Sequence, residues 1–126
     1  LSLALVGNGL SLQEIRALEA IPEAERIPYW TNYLLADSRW SVYFGERLAR
    51  AYVGTHEGQF LLYRRRKFRL WLADELAKNT PYDQIVRKMI ASEGRWTDRP
   101  EVNFLTATLD GNDNNRADPI RLAGRT

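Results

Sequence analysis

Apolar residues return every three or four positions along most of this chain, and the strict alternation of a half-buried strand is nearly missing. The pattern predicts helices. Ser11-Leu-Gln-Glu14 is a capping box, in which the serine hydroxyl and the glutamate carboxylate reciprocally satisfy free backbone donors. It opens a helix that runs to about Ile21 with Leu12, Ile15 and Leu18 on one face and stops near Pro22. A second helix is expected with Pro28 in its first turn, where a missing N–H costs nothing, burying Trp30, Leu34 and Tyr33. A third starts near Ser41, turns Phe44, Leu48, Ala51 and Tyr52 inward, and stops at Gly54. The longest runs from Gln59 or Phe60 to Lys78. Leu61, Phe68, Trp71, Leu72 and Leu76 form its stripe, and Asp74 and Lys78 form a favourable i,i+4 pair. Thr80-Pro81-Tyr82-Asp83 then offers an N-cap, a proline at the first helical position and an acid in the first turn. From there Tyr82, Ile85, Val86, Met89 and Ile90 face inward, with Asp83, Gln84, Arg87 and Lys88 outside.

After Gly94 the periodicity fades. Arg95 to Pro100 reads as a loop, Glu101 to Leu109 as a short helical stretch, and Asp110 to Arg116 as a polar, Asn-rich run before a last helix opening at Asp118-Pro119. No internal repeat is visible. The expected fold is all-α: an irregular bundle of five or six helices with a long loop-rich C-terminal segment, forming a single helical domain over residues 1–126. Leu1 is not a starting methionine, so the chain is expected to be a fragment of a larger multidomain protein.

Composition agrees with one core, since 44% of the 126 residues are hydrophobic and 11% aromatic. No apolar run approaches the ~20 residues of a membrane helix. The greasy Leu1–Gly7 stretch lacks the basic start and cleavage site of a signal peptide. A formal charge of +2 is too small to argue for nucleic acid or an anionic membrane through a long-range field. Fifteen of the eighteen bases are arginine, which suits bidentate contacts to carboxylates or phosphates. Cysteine is absent, which removes disulfides, a thiolate nucleophile and Cys-type zinc sites.

Candidate chemistry is sparse. His56 stands alone in the glycine-bounded loop Gly54-Thr-His-Glu-Gly58; it could serve as an acid/base group or an axial haem ligand, and a plain loop residue is the competing reading. Arg64, Arg65 and Arg66, followed by Lys67 and Arg69, form the densest basic run. On a helix these side chains diverge, so helix–helix salt bridges are favoured over an external anion. Asp110 to Asn115 resembles the start of a calcium loop. Asn115 stands where that loop needs glycine and Arg121 where it needs a bidentate glutamate, so an Asx-rich turn is expected and no metal site is assigned. Trp30, Trp71 and Tyr82 fall on core stripes, whereas Trp40 and Trp96 lie near helix ends as exposed or interface aromatics. Asp98 and Asp110 are available as a carboxylate pair, with nothing to single them out. No nucleotide-binding glycine loop or Ser/His/Asp signature is present, and no catalytic residue is assigned.

Several stretches together resemble one family. Leu1-Ser-Leu-Ala-Leu-Val-Gly7 with the Ser11 capping box resembles its opening "LxLxGxxPxxxEI", and Leu34-Leu-Ala-Asp-Ser-Arg39 with Phe44-Gly-Glu-Arg-Leu-Ala-Arg50 resembles its "LLASPRYGERWAR" segment. Arg69-Leu-Trp-Leu72 with Asn79-Thr-Pro-Tyr-Asp-Gln-Ile-Val86 resembles "RxWxxxxxxxNxPYDxFV", and Val102-Asn-Phe104 and Leu122-Ala-Gly-Arg-Thr126 resemble later landmarks. The family is domain of unknown function 1549, abundant in planctomycete bacteria and common in exported proteins with c-type cytochrome modules. This chain departs from it at Ala51 to Gly58, where the family often reads "RHWLDLARYADS".

The resemblance implies an exported or periplasmic protein whose haem-binding Cys-x-x-Cys-His follows the Ala-Gly-Arg-Thr element, with no cofactor on this chain itself. The expected function is a non-catalytic helical scaffold or interaction domain whose partners are other domains of the same protein. The alternatives are an accessory domain of an exported polysaccharide-degrading or other enzyme, and, disfavoured by charge, a basic nucleic-acid-binding module. Arg64, Arg65, Arg66, Trp96, Arg121 and Arg125 are the candidate anion or partner contacts, the last two through haem propionates, with His56 as the isolated additional candidate.

Overall fold

A computed structural model describes residues 1–55, 64–95, 97–107 and 124, and these are helical with no strand among them. His56, Leu61, Trp96, the Asp110–Arg116 run, the Asp118-Pro119 cap, Arg121 and Arg125 lie outside the described residues. Seven α-helical segments and one 3₁₀ turn are present among the described residues. The count exceeds expectation because two one-turn pieces carry too few residues to show a period.

The first of these is the opening apolar stretch, which forms α1 (Ser2–Val6) and is closed by Gly7 in the left-handed conformation. A Cβ on Gly7 would lie 2.5 Å from the Tyr43 ring, so this glycine is demanded by both its φ of 73° and its neighbour. The capping box then opens α2 (Leu12–Glu19) as expected. The Ser11 amide donates to Glu14 Oε2 at 2.7 Å, and the Glu14 amide donates to Ser11 Oγ at 3.3 Å. The expected burial of its apolar face does not follow: Leu12 is 63% exposed and Ile15 39%, and only Leu18 packs on a core.

Helix α3 (Glu23–Ala36) starts five residues before Pro28 rather than with Pro28 in its first turn. Glu23 and Glu25 favour the positive end of the helix, and Arg26 ties that end down by donating to the carbonyls of Ile21 (2.9 Å) and Glu19 (3.3 Å). Trp30 and Leu34 are buried as expected, whereas Tyr33 is exposed and stacks on Trp30 at 4.7 Å.

Helix α4 (Ser38–Val53) begins three residues before Ser41 because Asp37 caps it, accepting from the Arg39 amide at 2.8 Å; Gly54 ends it. Its buried face is Ser41, Gly45, Ala49, Tyr52 and Val53, while Phe44 and Leu48 are half-buried and Ala51 is exposed. Small residues one helical turn apart let a neighbour approach closely. A Cβ on Gly45 would sit 2.9 Å from the Ala73 backbone nitrogen.

That neighbour is α5 (Arg65–Ala77), which makes the most extensive helix–helix contact of the molecule with α4. It starts at Arg65, and the expected start at Gln59 or Phe60 lies outside the described residues. Arg64 is not helical (φ −137°, ψ 90°), and its amide donates to Asn103 Oδ1 at 2.7 Å. At the other end Asn79 adopts φ 53°, its amide bonds Leu76 O and the Thr80 amide bonds Glu75 O, which is a Schellman stop. Helix α6 (Tyr82–Ala91) follows with Pro81, not Thr80, as its N-cap. Ile85 and Met89 are buried; Tyr82 and Ile90 are more than half exposed, against expectation. The 3₁₀ turn Pro100–Val102 and α7 (Asn103–Thr106) close the described fold on the expected short helical stretch.

Two cores result. Ala49, Tyr52, Val53, Phe68, Leu72, Ile85, Met89 and Phe104 form the larger, and Val6, Trp30 and Leu34 the smaller. Helix α4 belongs to both, since half-buried Trp40 at its start packs on the smaller core.

Candidate functional site: the arginine seam between α4 and α5

The basic run that stood out in the sequence is dispersed by the structure. Arg66 is exposed, Arg64 is held through its backbone by Asn103, and Arg65 is 6% exposed. Arg65 points into the α4–α5 seam. Its Nε donates to Gly54 O at 2.7 Å, and its terminal nitrogens reach Glu46 Oε1 at 2.7 Å and Oε2 at 3.3 Å. This is the helix–helix salt bridge expected of the run, in the two-pronged geometry that guanidinium favours. Lys67 meanwhile donates to Thr97 O at 3.2 Å.

Glu46 was not singled out from the sequence. It accepts from Arg50 Nε at 3.2 Å and lies 3.6 Å from Arg69 Nη1, so with Arg65 three arginines from two helices converge on it. The Arg65 hydrogen bonds lower its pKa below the usual glutamate value; partial burial opposes them, and Arg50 and Arg69 add to the lowering. Along the outer side of α4, Arg47 Nη1 donates to Tyr43 Oη at 3.1 Å and its guanidinium carbon lies 5.6 Å from the Tyr43 ring centre. An open groove of about 620 Å³ runs beside these residues, lined by Tyr43, Glu46, Arg47, Arg50 and Ala51. The available signal was the i,i+4 spacing of Glu46 and Arg50, one acid and one base on a single helix face.

The other motif residues are joints. Arg39 joins Glu14 Oε1 (2.6 Å) and Asp37 Oδ2 (2.7 Å), tying the cap of α2 to the cap of α4. The hydrogen bonds holding Glu14, from the Ser11 backbone first and then from Arg39, keep its pKa low, and those from Arg39 do the same for Asp37. Tyr82 Oη and Tyr52 Oη are 2.8 Å apart. Burial pushes the Tyr52 phenol well above its usual pKa. Asn103, fully buried, also donates to Pro100 O at 2.8 Å. Glu75 is 5% exposed and accepts from Lys88 Nζ at 2.6 Å. Burial alone would raise its pKa, but the hydrogen bonds from Lys88 and Thr80 outweigh that and lower it.

A second groove of about 530 Å³ lies where the Leu35–Ser41 segment faces Leu76, Ala77 and Asn79, with Trp40 on its wall. Trp40 is tilted against Phe44 at 5.3 Å rather than free at a helix end. Among the described residues no three His, Asp or Glu side chains gather as metal ligands, and no described helix is long and apolar enough to cross a membrane.

No curated protein and no solved structure matches the chain. One family does, described as PSCyt2, protein of unknown function (DUF1549), over residues 1–122. The joints at Gly7, Ser11, Asp37, Glu46, Asn79 and Asn103 all fall within that span. With nearly its whole length matched, the chain belongs to the DUF1549 family.

Proposed function

We propose that this chain serves as a non-catalytic helical scaffold or interaction domain of an exported protein, with a c-type haem segment as its neighbour in that protein. The observation that carries the scaffold reading is where the polar motif residues spend their hydrogen bonds. Ser11, Glu14, Asp37, Arg39, Glu46, Tyr82 and Asn103 are each satisfied by a cap, a neighbouring helix or a turn. An active site instead keeps acids, bases or nucleophiles turned toward a substrate.

The haem neighbour and export rest on the family resemblance. Covalent attachment of that haem takes two thiols and an adjacent histidine. The 126 residues hold no cysteine, so the group does not fit on this chain and is assigned to another part of the parent protein. Export of the full-length parent in a host with haem-attachment machinery tests this by visible spectroscopy. A covalent haem in the parent, with residues 1–126 alone colourless, is expected. A parent without Cys-x-x-Cys-His removes the haem neighbour and leaves the scaffold.

A further inference from the structure

Around Glu46 the basic groups among the described residues outnumber the acidic ones. Arg65 engages both carboxylate oxygens, Arg50 reaches one of them at 3.2 Å, and Arg69 at 3.6 Å is beyond hydrogen-bond length. Arg47 meets no carboxylate among the described residues and rests on Tyr43. Three guanidinium groups therefore contact one carboxylate at the edge of the 620 Å³ groove, and Arg47 lies in the same lining. Glu46 lies in the groove lining, but Arg65 already engages it from the buried side, which leaves Arg47 and Arg50 as the cations of the lining, with Arg69 approaching Glu46 from α5.

We propose that this groove binds clustered oxyanions: two or more phosphate, sulfate or carboxylate groups carried on one ligand. Three features of the seam favour that class. Arg47 and Arg50 lie on one side of α4, one turn apart, about 5–6 Å between their Cβ atoms, so a single small anion is served by one guanidinium while paired anionic groups engage both. Arg69 adds a third cation from the facing helix. Stacking on Tyr43 holds the Arg47 guanidinium in place, which reduces the ordering cost of binding. The same oxyanion chemistry can arrive as a free polyvalent anion or displayed along a polymer.

The test is calorimetric titration of the folded chain with inorganic tripolyphosphate and, separately, with a sulfated polysaccharide, each at low and high salt. The double variant Arg47→Gln/Arg50→Gln leaves the Arg65–Glu46–Gly54 contacts in place, and its thermal midpoint without ligand serves as the folding control. Arg16→Gln/Arg87→Gln removes the same charge from exposed positions on other helices. Affinity is expected to fall at least about tenfold in the α4 double variant, with little change in the α2/α6 double variant. Binding of tripolyphosphate assigns a free anion, and binding of the polymer alone assigns a displayed one. Equal losses in the two double variants, or no binding of either probe by the parent sequence, overturn the proposal. Haem attachment elsewhere in the parent protein has no bearing on the outcome.

Discussion

At the scale of single residues, α6 separates what periodicity can tell from what it cannot. Ile85 and Tyr82 occupy one apolar stripe in sequence, yet Ile85 is 1% exposed and Tyr82 52%. Lys88, polar and outward by the same reasoning, is the partner of buried Glu75. Ile85→Asp should therefore cost about 4 kcal/mol by placing a charge in the larger core. Tyr82→Asp should cost only about 1–2 kcal/mol, chiefly the contact with Tyr52. Lys88→Asp should cost about 3 kcal/mol, because it leaves Glu75 buried and facing a like charge. Urea titration of the three variants gives the order, and a mild Lys88→Asp would mean that Glu75 is hydrated. The burial of Ile85 and Met89 was legible in the 3.6-residue period. The position of Glu75 was not, since a lone acid on a helix carries no mark of what packs over it. The capping box and the Gly54 stop were equally legible, because caps are local chemistry.

At the scale of helices, the seam between α4 and α5 explains why the expected inward face of α4 was rotated. Periodicity suggested Phe44, Leu48, Ala51 and Tyr52; Tyr52 is buried, and close approach selected Ser41, Gly45 and Ala49 in place of the other three. Which small residues a partner helix needs is decided by that partner, and α5 lies twenty positions further on. The salt bridge across the seam makes the basic run unequal. Arg65→Gln should destabilise by about 3 kcal/mol, and Arg66→Gln should stay within about 0.5 kcal/mol. Thermal melts of the two variants check the contrast, and equal effects would contradict the burial of Arg65. The joint also fixes an acid response. Glu46 has a folded pKa below its unfolded value of about 4.3, so its contribution is complete above that value and is lost as pH falls through the folded pKa. Glu46→Gln should lower stability at neutral pH and flatten its decline below about pH 4.3.

At the scale of the whole molecule, the all-α class was legible because helical spacing recurs in separate segments, whereas the division into two cores was not. Nothing in a helix's own sequence says which distant helix will cover it. The division has a consequence in time rather than in energy. Among the described helices only α4 belongs to both cores, and α2 contributes no buried residue. The molecule should therefore breathe in stages, with amides near α1 to α3 exchanging with solvent through small openings while those of α5 and α6 wait for global unfolding. Deuterium uptake followed by mass spectrometry would show two protection classes dividing along the length of α4. A single uniform class would mean that the two cores open as one.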